Sequence, residues 1–437
     1  MKRLLSVFLV SVLILSLVTA QGTSERTSEK DTSQSTVTTL SVWSFVQAHM
    51  DAYKKLSVVW NEDHPDEQIK LVDTYYDWAS MHDKLYSCLL AGEGAPDLCD
   101  VEIGKWPNFM QGEIKFLDLT DYVLPYKDQI VNTRMQVYQK NGKQYGVPSH
   151  IGATVMYYNI DLLQKAGIDY RNIKTWDDFA NACRIYKAKT GKYMTYIETY
   201  GAYEFSYMMA ELGHDIITAD GRPDLYNADA VRVCKLWKSW YDEGIIGTIP
   251  TGNADTDAGK AAVASGEIAA LGYPLWYMGR FTDVAPDLAG KIAIAPLPVF
   301  KDATYKSVGL GGTGTVVIAN GPHADLAARF ITWAKLSETG GITLWQDLGY
   351  DPINTKVWTN LTVTKDPGNK FLKYFATNPF DVLSEIKDGI FACKTMQNSA
   401  TINDYLSSTT WNRMYINGED VEKVLKETQT EMETQAK

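Results

Sequence analysis

The sequence is poor in residues that bind metals or crosslink a chain. Its five cysteines and six histidines form no C-x-x-C, H-E-x-x-H or H-x-x-x-H motif. This absence argues against a zinc site of ordinary ligand spacing, and no metal or cofactor is expected. In an oxidising compartment, Cys88–Cys99 and Cys183–Cys234 are the disulfide pairs to test first, with at least one thiol left over. The alternative is that the thiols are free and buried.

Positive charge and long hydrophobic segments are also scarce. The chain has 42 basic and 53 acidic residues, a formal net charge of −11, which argues against a nucleic-acid partner. One apolar run, residues 4–17, follows Lys2 and Arg3 and precedes the small-residue sequence Val18-Thr-Ala20. Because this run is short for a membrane span, residues 1–20 are predicted to be a secretory signal peptide. An uncleaved N-terminal anchor is the alternative.

The segment after the predicted signal peptide differs sharply in composition. Residues 21–36 are rich in Ser, Thr, Glu and Lys and contain no large apolar side chain, so we expect a disordered tether. The ordered part is expected to begin at Val37. No later segment is long and apolar enough to cross a membrane, which predicts a soluble mature protein in the periplasm or outside the cell.

Aromatic residues, in contrast, are abundant, with 12 Trp and 26 Tyr. They can fill hydrophobic cores or stack on the flat faces of a ligand. A chain of 437 residues exceeds the usual size of a single core, so the sequence predicts two lobes.

The first part of the ordered chain alternates between strand and helix patterns. Strands are predicted over residues 39–45, 68–73 and 98–103, with helices over 48–63 and 78–91 between them. This alternation favours an α/β fold with a mainly parallel sheet and helices on both faces. Ligands of such sheets bind beyond the carboxyl ends of the strands. Four candidate binding residues lie at or just past these ends: Trp43, Asp77, Trp78 and Glu102.

One stretch, residues 145–163, organises the rest of the chain. It reads as a turn, a short apolar strand and the start of a helix that Asn159 caps. We interpret it as a crossing from one lobe to the other, with Pro148 fixing and Gly152 relaxing the backbone beside a ligand cleft. The alternative is one more buried strand of a single large domain.

A glycine-rich stretch suggests a second crossing. Gly309, Gly311 and Gly314 match the G-x-G-x-x-G dinucleotide fingerprint, but residues 315–319 read as a strand where that motif requires a helix. Nucleotide binding is therefore disfavoured. We expect bare backbone to line the cleft here, which makes Gly311 and Gly312 candidate binding residues.

Carboxylates beside aromatic residues leave two chemistries open. The pairs are Asp77 with Trp78, Glu102 with Trp106, and Glu198 with Tyr203. Two of these carboxylates could be the acid and the nucleophile of a glycosidase. They could equally accept hydrogen bonds from sugar hydroxyls while the rings stack on the sugar. The sequence does not give the separation between carboxylates that would distinguish hydrolysis from binding.

Taken in order, these segments resemble the solute-binding proteins of ABC importers, in the large family that includes maltose-binding protein. The resemblance extends over residues 37–432 and depends on the order and spacing of several stretches. Among them are Gly94-Ala-Pro-Asp97, Leu117-Asp-Leu-Thr-Asp121, Tyr145-Gly-Val-Pro148, Lys174-Thr-Trp-Asp-Asp178, Gly259-Lys-Ala-Ala-Val263 and Gly349-Tyr-Asp-Pro352. The chain lacks the lipobox cysteine of tethered relatives, which implies soluble residence.

The resemblance implies a two-lobed periplasmic-binding-protein fold of type II. Each lobe would be a mainly parallel sheet flanked by helices, and interlobe crossings would act as hinges. The lobes would interleave in the chain, with residues 37–150 plus 312–350 forming lobe 1 and residues 151–311 plus 351–437 forming lobe 2.

The resemblance also implies a function. Members of this family are not enzymes, and most relatives of this type carry mono- or oligosaccharides to the permease subunits of an ABC transporter. We therefore expect a monomer that closes around a sugar.

Trp276 and Tyr405 align with sugar-stacking positions, and Glu102 and Glu198 with positions where carboxylates meet hydroxyls. The full set of expected ligand-binding residues is Trp43, Gln47, Asp77, Trp78, Glu102, Glu198, Tyr203, Trp276, Gly311, Gly312, Asp351 and Tyr405. The alternatives are a secreted glycoside hydrolase and a binding protein for a non-sugar solute.

Overall fold

The computed structural model describes residues 37–394 and 398–435. The predicted signal peptide, residues 1–20, and the predicted tether, residues 21–36, lie outside the described residues. Within the described ranges, no helix has both the length and the apolar character that a bilayer crossing needs.

The strands of the described chain are short, and most lie in two main sheets. They are β1 Thr38–Ser44, β2 Ile69–Tyr75, β3 Leu98–Glu102, β4 Gln139–Lys140, β5 Lys143–Gln144, β6 Gly146–Pro148, β7 Thr154–Asn159, β8 Tyr196–Ile197, β9 Gly247–Thr248, β10 Ala270–Pro274, β11 Ile292–Ala295, β12 Ser307–Val308, β13 Thr313–Val317 and β14 Ile390–Phe391.

The α-helices of the described chain cover the sheets and build the C-terminal part. They are α1 Gln47–Asp63, α2 Trp78–Ala91, α3 Thr120–Val123, α4 Asn132–Met135, α5 Ile160–Lys165, α6 Trp176–Thr190, α7 Tyr203–Glu211, α8 Ala228–Glu243, α9 Asp257–Ala264, α10 Met278–Val284, α11 Ala324–Leu336, α12 Glu338–Leu348, α13 Lys356–Thr359, α14 Leu361–Thr364, α15 Lys370–Tyr374, α16 Pro379–Ile386, α17 Ser399–Tyr405 and α18 Val421–Gln435.

The first sheet has the strand order β2-β1-β3-β13-β6. Strand β1 pairs in parallel with both β2 and β3, as the alternation of strands and helices over this region predicts. Strand β13 returns from far along the chain and pairs antiparallel with β3, with Thr315 opposite Asp100. The carboxyl ends of β1, β2 and β3 therefore lie at one edge of this sheet.

The second sheet corrects one expectation. Its order is β10-β7-β11, and β7 pairs antiparallel with both neighbours, so the mainly parallel sheet expected in each lobe is wrong for these strands. Neighbouring strands here are far apart in the sequence, so the alternation of strand and helix patterns does not determine the direction in which they pair. The parallel pair β8–β9 is tied to this sheet by the N–H groups of Ala269 and Ala270, which donate to the Met194 carbonyl.

Helix ends follow the local chemistry of the sequence. Thr175 forms a capping box with Asp178 at the start of α6. Asn227 caps α8 through its side chain. Gly92 and Gly244 end α2 and α8 in the left-handed conformation that glycine adopts at little cost. The predicted bounds of the helix over residues 78–91 are confirmed by α2.

Three segments of the chain lie side by side where the chain steps from the first sheet to the second. We call them the first passage (residues 149–153), the second passage (309–312) and the third passage (349–353). The Leu310 N–H donates to the Gly152 carbonyl, and Ala153 and Gly309 form an isolated antiparallel bridge. The Ile151 N–H donates to the Asp351 carbonyl. β6 belongs to the first sheet and β7 to the second, so the chain passes from one sheet to the other within residues 145–163. That this step joins two lobes stays a prediction.

Most of the aromatic excess packs into the interior. The largest fully buried side chains include Trp106, Trp237 and Trp345. All five cysteines are free thiols, and Cys99, Cys183 and Cys234 are buried. The alternative of buried free thiols therefore describes these three, and neither disulfide pair is formed. Isolated from water and from one another, these side chains act as small apolar groups.

Candidate functional site

A cavity of about 250 Å³ opens beyond the carboxyl end of β3. Its walls come from residues 102–104, from α7 and the residues on either side of it, from the second passage, and from residues 393–394 and 399–407. Polar side chains are supplied from segments far apart in the chain. They belong to Glu102, Ser206, His214, Asp215, Lys394, Ser399, Asn403 and Ser407. This position, past the end of a parallel strand, is the one that the sheet topology favours for a ligand.

Glu102 is the cavity acid that the sequence predicted. It ends β3 and is partly buried, and its N–H donates to His82 Nε2 at 3.0 Å. Its Oε2 accepts from the Gly104 N–H at 2.8 Å. Burial raises the pKa of Glu102 to about 7, against the opposing effect of that N–H group. The Gly104 N–H thus holds the carboxyl in place, and the pKa of the carboxyl lies near neutrality. Its oxygens keep the capacity to accept further hydrogen bonds.

Tyr203 and Gly311, two further predicted binding residues, also line the cavity. Tyr203 begins α7, and its ring centroid lies 4.5 Å from that of Tyr273. Gly311 has a φ of +63°, and a Cβ there would lie 3.1 Å from both Trp276 Nε1 and the Tyr203 hydroxyl. The wall can approach the aromatic rings this closely because the residue is glycine.

Trp276 lies behind this glycine, in the short turn after β10. Its indole N–H donates to the Leu310 carbonyl at 3.0 Å, so the polar edge of the ring is engaged by the second passage. The ring is partly buried beside Tyr273, and the Arg280 guanidinium lies 5.5 Å from its centroid. Trp276 is not among the residues lining the cavity, and sugar stacking on it stays a prediction.

Glu198 is buried next to the cavity rather than exposed in it. The side chain is part of a residue that is only 2% exposed, and Oε1 accepts from the Ala254 N–H and the Tyr273 hydroxyl, both at 2.9 Å. Burial and the nearby Glu204 carboxylate raise the pKa of Glu198 well above its ordinary value. Within the described chain, Oε2 has no hydrogen-bond partner. Contact with a ligand stays a prediction here too.

Four other predicted residues lie along the first sheet, away from the cavity lining. Trp43 is buried and packs edge-on against Tyr76. Gln47 is exposed and bonds to Asp51. Asp77 caps α2, and Trp78 is 42% exposed with the Lys105 ammonium 4.5 Å from its ring centroid.

The remaining three predicted residues are held by other contacts. The Gly312 carbonyl accepts from the Ile103 N–H. Asp351 is fully buried in the third passage, where its carboxylate accepts from Gly152 N–H at 3.1 Å and Ala153 N–H at 2.8 Å. Tyr405 is partly buried against the core beside the second sheet. Their binding roles are untested predictions.

Seven polar residues of the cavity were missed by sequence reasoning, because no pattern links them to Glu102. Asn403 and Ser407 are instructive. They are four positions apart and share a helical face, whereas Tyr405, the residue favoured from sequence, points elsewhere. Helical periodicity after Ser399 could have favoured Asn403 over Tyr405. Among the described residues, no cluster of His, Cys, Asp and Glu could hold a metal ion.

Comparison with known proteins identifies the family. A model of the family described as bacterial extracellular solute-binding protein matches residues 43–340. The arabinooligosaccharide-binding protein of Bacillus subtilis is 37% identical over 410 residues, covering 93% of each chain. That of Halalkalibacterium halodurans is 37% identical over 376 residues, covering 86% of this chain and 84% of its own. Among solved structures, the sugar-binding protein MalE of Xanthomonas citri has a TM-score of 0.77 at 16% identity, covering 91% of this chain and 97% of its own.

These matches settle the fold and the family. The structural likeness, at low sequence identity, confirms the predicted two-lobed α/β fold. The two relatives align over nearly their whole length, and the family model matches most of the chain. This chain therefore belongs to the family of bacterial extracellular solute-binding proteins.

Proposed function

We propose that this chain captures an arabino-oligosaccharide in the cavity at Glu102, Tyr203 and Gly311. It then delivers the sugar unchanged to the permease subunits of an ABC importer. The observation that carries the proposal is the 37% identity to two arabinooligosaccharide-binding proteins over 86% and 93% of the chain.

The chemistry of the cavity supports an uncharged polyol as ligand. Its polar side chains combine acceptors, such as Glu102 and Asp215, with groups that both donate and accept, such as Asn403 and Ser206. Hydroxyl groups can satisfy both kinds. The Tyr203 ring and the carbon atoms of the second passage offer apolar surface for the C–H faces of the sugar.

Binding would close the protein about its three passages. We place the lobe boundaries there, with residues 37–150 plus 312–350 as lobe 1 and residues 151–311 plus 351–437 as lobe 2. A sugar favours closure if it contacts both lobes only in the closed state. Under this division, Glu102 belongs to lobe 1 and Ser206 and Asn403 belong to lobe 2, so a sugar bound among these cavity residues would contact both lobes.

We also propose that the chain has no catalytic activity and that it works as a soluble protein. The relatives are binding proteins, so we expect release of the sugar with its glycosidic bonds intact. The chain would act as a monomer, in the periplasm or outside the cell, after cleavage of its signal peptide.

A thermal-shift screen against a sugar panel tests the proposal. Ligands that bind the native state alone raise the melting temperature, so arabino-oligosaccharides should raise it and unrelated disaccharides should not. Each mixture is also assayed for new reducing ends. A shift without new reducing ends supports a binding protein, whereas new reducing ends would identify a glycosidase.

A further inference from the structure

Arg134 places a buried positive charge beside the passages. It lies in α4, is 2% exposed, and donates from Nε to the His150 carbonyl at 3.0 Å. Nη1 donates to the Gly309 carbonyl at 3.3 Å, and Nη2 donates to the Gly311 carbonyl. One guanidinium thus binds main-chain oxygens of the first and second passages together.

The second passage accepts a hydrogen bond from another element as well. Trp276, which follows β10 of the second sheet, donates its indole N–H to the Leu310 carbonyl. Successive carbonyls, those of Leu310 and Gly311, are therefore bound by side chains of two different elements. Because Leu310 and Gly311 also line the cavity, these two hydrogen bonds fix part of the cavity wall.

The passages pack closely against Arg134 and against each other at two glycines. A Cβ on Gly312 would lie 2.6 Å from Arg134 Nη2 and 2.7 Å from the His150 ring. A Cβ on Gly152 would lie 2.8 Å from the Leu310 carbonyl oxygen. These glycines let the passages approach each other and the guanidinium closely, so we expect loss of the guanidinium to loosen the backbone at Gly311.

The chemistry of the guanidinium suits this position. A cation taken out of water is retained only where its N–H groups find acceptors. Arginine presents five N–H donors in a rigid planar fork and can reach three carbonyls in different directions, whereas a lysine ammonium is a compact donor on a flexible stem. A neutral side chain would leave the carbonyl oxygens of His150, Gly309 and Gly311 without these charge-assisted bonds.

We propose that Arg134 is a positioning residue that holds the first and second passages in register and thereby sets the Gly311 wall of the sugar site. The inference rests on the proposed function, because sugar affinity is one of its readouts. It also makes a statement about the unliganded protein. Without the guanidinium, the second passage should open locally while the rest of the fold persists.

The test compares Arg134→Ala and Arg134→Lys with wild type. Hydrogen exchange of the unliganded proteins should speed up at the amides of Leu310, which bonds to Gly152, and Ile103, which bonds to Gly312. Exchange in β1 should stay as in wild type. Affinity for arabino-oligosaccharide should fall at least about tenfold in the alanine variant and less in the lysine variant. The lysine variant keeps the inference testable if the alanine variant does not fold.

Chemical rescue separates positioning from general stability. Millimolar methylguanidinium should enter the space vacated in Arg134→Ala and restore both exchange protection and affinity. Arg184→Ala, which removes a surface pair with Glu243, is the matched control and should respond to neither. The inference would be overturned if the Leu310 and Ile103 amides of Arg134→Ala exchange at the wild-type rate. It would also be overturned if exchange speeds up equally throughout the variant and methylguanidinium does not restore protection. Failure of wild type to bind any arabino-oligosaccharide would instead count against the proposed function, because the exchange test needs no ligand.

Discussion

The cavity and the passages beside it both concentrate buried charge, but they satisfy it differently. In the passages, Arg134 and Asp351 bind main-chain groups of neighbouring segments. In the cavity, Glu102 accepts from Gly104 and keeps capacity for more hydrogen bonds. Buried groups whose hydrogen bonds are complete position the backbone, whereas groups that can still accept hydrogen bonds can receive a ligand.

The largest effect is expected in the passages. Asp351→Ala leaves the buried N–H groups of Gly152 and Ala153 without their carboxylate acceptor. Since each unsatisfied group costs about 1–3 kcal/mol, we expect the free energy of unfolding to fall by about 3 kcal/mol in urea denaturation. The control is Asp347→Ala, which removes a surface pair with Lys55 and should change stability by less than about 0.5 kcal/mol. Equal effects of the two substitutions would erase the distinction drawn for the passages.

The sequence predicted much of the fold because local chemistry decides it. The elements from β1 to β3, the capping box at Thr175 and the glycine ends of α2 and α8 follow from periodicity and capping. The antiparallel second sheet does not, because periodicity shows which face of a strand is buried and not which strand lies beside it.

Less of the candidate site than of the fold could be predicted from the sequence, for the same reason. Position past a strand end indicated Glu102, and the glycine pattern indicated Gly311, and both line the cavity. Asp215 and Asn403 reach it from loops and helices whose neighbours are set only by tertiary packing. Asp351 was among the expected ligand-binding residues, but the structure buries it in the third passage.

The next largest effect should appear in the cavity, in affinity. Glu102→Gln keeps the size of the side chain and an acceptor for the Gly104 N–H but removes the charge. Hydrogen bonds to charged groups contribute about 1.5–3 kcal/mol and neutral ones about 0.5–1.5, so affinity for arabino-oligosaccharide should fall about tenfold. Glu113→Gln, at an exposed acid paired with Lys115, is the control. An unchanged dissociation constant in Glu102→Gln would remove Glu102 from the site.

The same substitution should affect stability with the opposite sign. The pKa of Glu102 is raised to about 7 in the folded chain, so the protonated form is favoured by folding. That stability is fully present below the unfolded pKa, about 4.3, and is lost as pH rises through 7. Glutamine does not ionise, so Glu102→Gln does not lose stability as the pH rises. The variant should be more stable than wild type by about 1 kcal/mol at about pH 8, and not more stable at about pH 4.

Denaturation at the two pH values measures this difference directly. A Glu102→Gln variant that is less stable than wild type at the higher pH would mean that the carboxylate is structurally required. Glu102 would then resemble Asp351, and the contrast between cavity and passages would not hold for this residue.

The smallest effect is expected at Gln47, a predicted binding residue that the structure leaves exposed beside Asp51. Gln47→Ala should change the free energy of unfolding by less than about 0.5 kcal/mol, because surface substitutions rarely do more. We expect sugar affinity within about twofold of wild type, measured by the same titration. A larger loss would show that the ligand reaches beyond the cavity to the start of α1.

Calorimetric titration of the wild-type chain with an arabino-oligosaccharide tests the proposed function without any substitution. We expect saturable binding of one sugar per chain, with a dissociation constant in the micromolar range or below, about −8 kcal/mol or stronger. A folded protein that gives no heat of binding with any arabino-oligosaccharide would contradict the proposed function.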